Sequence, residues 1–423
     1  MFASPTNAFK GSPLGPALSV LSRPEIRSAE QIAQATRFDT QDGPVVGQPG
    51  DIAITAYGKE RYPIRHPIFL GTYEVLGRVG QDLVAERLIH VRRAWEVLGD
   101  GGTFDYGPGR GIVSVERGSW LYQSDDRDFG TIHPKVKEAG HLFVGQEEEI
   151  EGVDWPRLAR RWSTLLGALP PVLAMLALGA FVCTMQPGQM PHELPAVLIG
   201  LEVALLLVGA FLVWTMKRQR WFLRACVQSA LALGREFESA VALLGQQTSA
   251  RFPGMALWRA VQSTPPDPTV PRLADVHDAP LLQQLHQALT RRLRLLEHEM
   301  HRAHTREKLA SWVTVAAFGL VLAANVSLLV GPHLVAVELA AIWIPAMVSA
   351  IHSFDLRRRT AERLAAMREL NDRLHFAQQR LPGIGATPSA ARDALLRVLC
   401  AAAAQYSQRE LKLALASEAP LPI

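Results

Sequence analysis

The sequence predicts a mainly α integral membrane protein, with four transmembrane helices in two hairpins, cytosolic amphipathic helices and a small N-terminal α+β cytosolic domain. Two observations carry that class. Four long apolar runs come in two pairs, Leu165–Met185 with Leu194–Met216 and Trp312–Val330 with Leu334–Ile351. Each is long enough, or nearly so, to cross a hydrocarbon core of roughly 30 Å at about 1.5 Å per helical residue. Basic residues also flank every run on one side. They are Arg157, Arg160 and Arg161, then Lys217, Arg218, Arg220 and Arg224, then Arg302, Arg306 and Lys308, then Arg357, Arg358, Arg359 and Arg363. The short turns Gln186–Glu193 and Gly331–His333 contain no Lys or Arg, so both turns face outward. The expected location is therefore the cell inner membrane, multi-pass, with both termini cytoplasmic.

In chain order, residues 1–45 are rich in Ser, Pro and Gln and read as partly disordered, with a short helix at Pro24–Thr36. Residues 46–150 read as the small α+β domain. Ile52 and Ile54, the turn Tyr57-Gly58-Lys59 and Arg61–Ile64 predict a β-hairpin. Pro67–Leu76 and Gln81–Leu98 carry helical stripes, the second through Leu83, Val84, Leu88, Val91 and Trp95. Pro108-Gly109-Arg110 then opens a stretch that repeats Pro49-Gly50-Asp51 at a spacing of 59 residues, which reads as a duplicated β-hairpin. The acidic run Glu147–Glu151 reads as a solvated linker.

Residues 151–250 hold the first hairpin and a following helix, with Leu223, Val227, Leu231, Phe237, Val241 and Leu244 on its apolar face. Residues 251–280 are a proline-rich linker. Residues 281–381 hold the second hairpin between two amphipathic helices, which are expected to pair with each other or with a second subunit. Residues 382–423 end the chain in an amphipathic helix from Ser389 to Ala416 and a short tail.

The layout from Leu281 to Leu381 resembles the SLATT superfamily of two-transmembrane effector domains, most closely at Arg302–Trp312 and Ser353–Leu374. That resemblance implies a membrane effector, pore-forming on a cytosolic signal, in a bacterial conflict or anti-phage system. It also implies a nucleotide second messenger or a sensor protein as partner. The Pro49-Gly50-Asp51 unit is similar to the small PGDYG-type domain, departing from it at Ile52-Ala53.

Candidate functional residues follow from cost. An ionisable group in hydrocarbon is expensive and faces protein or water. Glu202 lies within the second run and Glu338 within the fourth, and Asn325 is a polar candidate in the third. Glu202 is read either as a protonated residue bonded between helices or as one that lines a pore. Pro170, Pro171 and Pro345 lie within runs and are candidate hinges. The small stripe Ala196, Gly200 and Ala204 suits close helix packing and a homo-oligomer.

Other clusters carry less. His298, His301 and His304 spread over about 120° of helix surface and read as a solvated face rather than a metal site. Gly99–Gly111 reads as turn chemistry without a P-loop ending, and Asp125-Asp126-Arg127-Asp128 lacks further cation ligands. Cys183, Cys226 and Cys400 form no disulfide framework or zinc spacing. Arg61, Arg65 and Arg110 are basic residues that could meet an anionic ligand. No enzyme signature is present, so catalytic residues, cofactors and metals are expected to be none. The lipid bilayer is the expected partner. Nucleic acid is not, because the net charge of +4 is explained by the flanks. The alternative to a pore-forming effector is a membrane-anchored scaffold or regulatory adaptor without a pore; a small transporter is a third possibility.

Overall fold

The computed structural model describes residues 8–162, 194–244, 253–262, 283–302, 356–380 and 389–418, apart from 42, 56–59, 81, 126–127 and 160, with isolated positions between 304 and 312. The chain divides into two compact units. One comprises Met1–Asp154, Leu223–Leu293 and Glu369–Ile423; the other comprises Trp155–Phe222 and Arg294–Arg368.

The described residues do not form the fold class expected from hydropathy. The N-terminal part is built from four antiparallel sheets. Among the described residues, no helix is long and apolar enough to cross a membrane. The mainly α integral membrane class, and the multi-pass inner-membrane location drawn from it, are therefore not supported. Apolar runs dominate a hydropathy reading, whereas short strands leave no long run to count. Of the four runs, the second coincides with a helix, Leu194–Arg218. The first, the fourth and all of the third except Trp312 lie outside the described residues, as do Pro170, Pro171, Asn325, Glu338 and Pro345.

Two five-stranded sheets organise the first unit. The first sheet contains β3 (Ile26–Gln31), β6 (Ile52–Thr55), β7 (Arg61–Ile64), β8 (Tyr73–Val79) and β9 (Asp82–Arg87). The second contains β2 (Leu14–Ser22), β10 (Val91–Val97), β13 (Trp120–Asp125), β14 (Asp128–Ile132) and β15 (His141–Gln146). Their orders are β7-β6-β3-β9-β8 and β14-β13-β10-β2-β15. The layout is the same twice, with β3, β6, β7 and β8 answering to β10, β13, β14 and β15. A short helix precedes the last strand in each, α1 (His66–Thr72) before β8 and α2 (Pro134–Gly140) before β15.

Register makes the correspondence residue by residue. Ala29 faces Ile54 on one side and Leu83 on the other. Ala94 faces Tyr122 and Leu18 in the same way. Ile52 pairs with Ile64, and Trp120 with Ile132. The two apolar cores are thus built from matched positions. Ala29, Ile52, Ile54 and Ala85 fill one, and Ala94, Trp120, Tyr122 and Val20 fill the other. The last match reveals an exchange. The strand equivalent to β9 is β2, which comes before the first repeat in the chain. Two linkers, Ser22–Ile26 and Arg87–Val91, therefore carry the chain from one sheet to the other.

Each repeat carries an inserted hairpin between equivalent strands, β4 (Thr36–Thr40) with β5 (Gly43–Gly47), and β11 (Gly102–Asp105) with β12 (Ile112–Val115). A short strand β1 (Phe9–Gly11) extends the latter to three strands. The duplication therefore runs at spacings of 65 and 68 residues, not the 59 read from the paired Pro-Gly turns. Ile112–Val115 and Trp120–Asp125 belong to different sheets, so they are not a hairpin. The two turns instead meet: Arg110 Nη1 lies 2.9 Å from Asp51 Oδ2, and Gln48 Nε2 donates to the Gly109 carbonyl at 3.0 Å.

Helices complete this unit. They are α3 (Glu147–Glu151), all but the first two residues of α5 (Trp221–Glu236), α6 (Glu238–Leu243), α7 (Pro253–Gln262), the part of α8 (Leu356–Arg380) from Glu369 on, and α9 (Ser389–Glu418), with α4 being Leu194–Arg218 in the other unit. The run Glu147–Glu151 is helical rather than a free linker: Ile150 is buried, and Glu147 and Glu149 pair with Arg93 and Arg224 at 2.7 and 2.8 Å. Leu21, Ile89, Val144, Leu223, Val227 and Leu411 form one core that ties a linker to α5 and α9. Each such side chain contributes about 1.5–3 kcal/mol on full burial.

Gln408 on α9 clamps the second linker. Its Oε1 accepts from the Ile89 amide at 2.9 Å and its Nε2 donates to the Ile89 carbonyl at 2.8 Å. Replacing it with Leu leaves two buried backbone groups unmatched, which costs on the order of 2–5 kcal/mol. Urea unfolding of Gln408→Leu should report that loss; a change under about 1 kcal/mol would mean that water replaces the clamp.

Candidate anion-binding site

The junction between the repeats gathers three guanidinium groups, those of Arg87 and Arg92 buried and that of Arg27 partly buried. Arg27 on β3 and Arg92 on β10 occupy equivalent positions, each two residues before the matched alanine. Arg87 ends β9, 6% exposed, and Arg92 is 5% exposed. Each repeat gives its arginine a tyrosine ring, supplied from different strands. Arg27 lies 5.8 Å from the Tyr62 ring centroid, on β7. Arg92 lies 5.0 Å from that of Tyr122, on β13. In the second repeat the position equivalent to Tyr62 is Gly130, whose missing side chain makes room for Tyr122. A Cβ built on Gly130 would lie 2.7 Å from the Tyr122 Cζ and Oη atoms.

The charge balance differs between repeats. Arg27 bonds Glu25 through Nη2, and Nη1 donates to the hydroxyls of Tyr62 and, at 3.4 Å, Tyr73. The position equivalent to Glu25 is His90, 65 residues later. Arg92 therefore lacks the carboxylate that its counterpart has. Tyr73, which opens β8, corresponds to His141, which opens β15. His141 Nε2 lies 2.8 Å from Arg87 Nη2, and Arg87 Nη1 donates to the Gly140 carbonyl at 3.4 Å. A guanidinium can only donate, so His141 Nε2 accepts and its proton sits on Nδ1.

Electrostatics follow from that excess. Burial, then the neighbouring Arg87, pulls Arg92 down to about 10. Burial, then Arg92 and Arg87, lowers His90 to about 3, against a hydrogen bond to the Gly71 backbone. Burial, then Arg87, Arg92, Arg27 and Arg23, holds His141 well below the usual imidazole range. Burial works against Arg27 as well, but Tyr73, Tyr62 and Glu25 outweigh it and raise its affinity for its proton. Burial, then Tyr73, raises the Tyr62 phenol. Both imidazoles are neutral at pH 7, and the site holds a net positive charge.

Acid stability should register this. His90 has a folded value below its unfolded one, so it protonates first in the unfolded chain. Its contribution is complete above about pH 6.5 and is lost as pH falls toward 3, at about 1.4 kcal/mol per pH unit. His141 acts in the same direction. Between pH 7 and pH 5 the wild type should lose about 2 kcal/mol that His90→Gln retains. Equal losses in both, measured by urea unfolding, would contradict the assignment.

A small, mainly apolar cavity of about 20 Å³ adjoins the junction, with His90, Trp258, Ser407 and Gln408 as the polar side chains in its lining. His90 Nε2, Trp258 Nε1 and Ser407 Oγ are buried without hydrogen-bond partners. The volume suits one water molecule.

The residues singled out from the sequence fall elsewhere. Glu202 lies on α4. Arg61 already pairs with Glu30 at 2.7 Å and Arg110 with Asp51, so neither is spare for a ligand. His298, His301 and His304 are exposed. Among the described residues no group of three or more His, Cys, Asp or Glu is placed to hold a metal ion. Within Gly99–Gly111, the glycines 99, 101, 107, 109 and 111 all have positive φ, which only glycine adopts readily and which makes this a run of turns. Cys226 and Cys400 are buried and form no disulfide, and burial pushes the Cys400 thiol up to about 12. The signal that marked the cluster is the recurrence of Arg-x-Ala at Arg27-Ser28-Ala29 and Arg92-Arg93-Ala94. Two identities are too few to see before the register is known.

No family model, no curated protein and no solved structure matches this chain.

Proposed function

We propose that the chain is a non-catalytic regulatory protein whose duplicated sheet unit binds a small anion at the repeat junction and passes that event to its C-terminal helix. One observation carries the reading: two buried guanidiniums, Arg87 and Arg92, and the partly buried Arg27 share a single bonded carboxylate, Glu25. Burying an unpaired charge costs several kcal/mol, which a bound anion offsets. The route outward is short. Ile89, next to His90, is held by Gln408 of α9, and Lys412 of the same helix pairs with Glu86 at 2.9 Å. A ligand that prefers one placement of this linker biases the helix by the same free energy.

A nucleotide second messenger is one anion of this class. Self-association belongs to the same reading. Val197, Leu201, Leu207, Phe211 and Trp214 are exposed on α4 and supply apolar surface for it. The test is hydrogen exchange on the purified full chain with and without a panel of anions. Added anion should slow exchange in Arg87–Val97 and alter it in Ser389–Glu418. No change in either segment with any anion overturns the reading.

A further inference from the structure

We infer that the junction is built for a dianionic phosphate group, seated on Arg87 and Arg92. This rests on the anion reading above and names its ligand class.

Charge count comes first. Glu25 neutralises Arg27, and the equivalent carboxylate is missing beside Arg92 because His90 stands there. Arg87 contacts a neutral imidazole and a carbonyl rather than a carboxylate. Two positive charges thus remain uncompensated within one buried junction, and a dianion cancels both.

Donor count comes second. Arg27 Nε, Arg87 Nε, Arg92 Nε and His141 Nδ1 are buried and lack hydrogen-bond partners. The Arg87 contact fixes His141 Nδ1 as a donor. A carboxylate offers two oxygens in one plane, whereas a phosphate offers three, arranged in three dimensions. Guanidinium forks match phosphate oxygens in pairs. Tyr122 under Arg92 holds that fork in place, and exposed Arg23 adds positive charge beside His141.

Glu25 acts as an internal competitor, because it already takes one face of the cluster. Its removal should therefore tighten binding, the opposite of what a generally damaged fold would do.

The experiment is titration calorimetry on the purified full chain, with inorganic phosphate, phenyl phosphate, malonate and chloride as probes. We expect a phosphate probe to bind at least about tenfold tighter than malonate, with no heat from chloride. Arg87→Met and Arg92→Met, each checked by circular dichroism, should each weaken it at least about tenfold. Glu25→Gln should tighten it. Tighter binding of phenyl phosphate than of inorganic phosphate assigns a phosphorylated small molecule; the reverse assigns free phosphate. Malonate binding that depends on Arg92, with phosphate silent, overturns the phosphate inference and leaves the anion reading standing. Silence from every probe overturns both. Phosphate binding unchanged in folded Arg92→Met overturns the site.

Discussion

Gly130→Tyr alone should destabilise the chain by about 2–4 kcal/mol or prevent its folding, and adding Tyr122→Ile should recover most of that loss. The two repeats fill one equivalent space in opposite ways. The first uses Ile54 on β6 and Tyr62 on β7; the second uses Tyr122 on β13 and Gly130 on β14. Backbone strain is not the issue, because Gly130 is not among the glycines with positive φ. The obstacle is volume, since even one added methyl group would sit 2.7 Å from the Tyr122 ring. Overpacking of that kind costs about 1–3 kcal/mol, occasionally more. Tyr122→Ile alone removes the ring beneath Arg92 and leaves a gap, at about 2–4 kcal/mol by analogy with other large-to-small changes. The double variant reproduces the first repeat's arrangement, so the two errors should cancel. Additive losses in urea unfolding would mean that the repeats are not interchangeable at this position.

That symmetry was out of reach of a linear reading for a physical reason. Its partner strands are exchanged: the strand matching β9 is β2, so one of the second sheet's five strands lies before the first repeat. Comparison by turn residues aligned Pro49-Gly50-Asp51 with Pro108-Gly109-Arg110, which touch each other but are not equivalent. The stripe Leu83, Val84, Leu88, Val91 and Trp95 suits a helix by spacing, yet β9 and β10 form there. The linker residues Leu88, Ile89 and His90 break the chain between them, and their apolar character hid the break. Short runs of this kind fit either period, and cross-strand packing decides.

Other elements were legible because they repeat at one spacing over many turns. Leu364, Met367, Leu370 and Leu374 are all buried on α8, and Leu285, Leu289 and Leu293 on the helical stretch 283–302. Gln378 of α8 donates to Thr290 at 2.9 Å, which joins the two. The cluster of Arg27, Arg87 and Arg92 was not legible. Isolated arginines in a sequence read as surface, and only the β register brings these three inward.

The second large effect concerns the price of that cluster. Arg92 rests on Tyr122, and a cation–π contact is worth at most about 2 kcal/mol when desolvated. Desolvating an unpaired guanidinium costs several kcal/mol. The penalty exceeds the gain, so without ligand Arg92 should weaken the fold. Methionine keeps an unbranched stem of similar reach and removes the charge. Arg92→Met should therefore be as stable as wild type or more stable, by up to about 4 kcal/mol, as when other buried ionic groups are replaced by apolar ones. Stability given up at a defined place is the mark expected of a binding residue.

The most direct measurement is urea unfolding of wild type and Arg92→Met, each with and without inorganic phosphate. The variant should equal or exceed the wild type without phosphate, and phosphate should stabilise the wild type alone. A variant weakened by about 3–5 kcal/mol, with the same phosphate response as wild type, would contradict it and make Arg92 a structural residue.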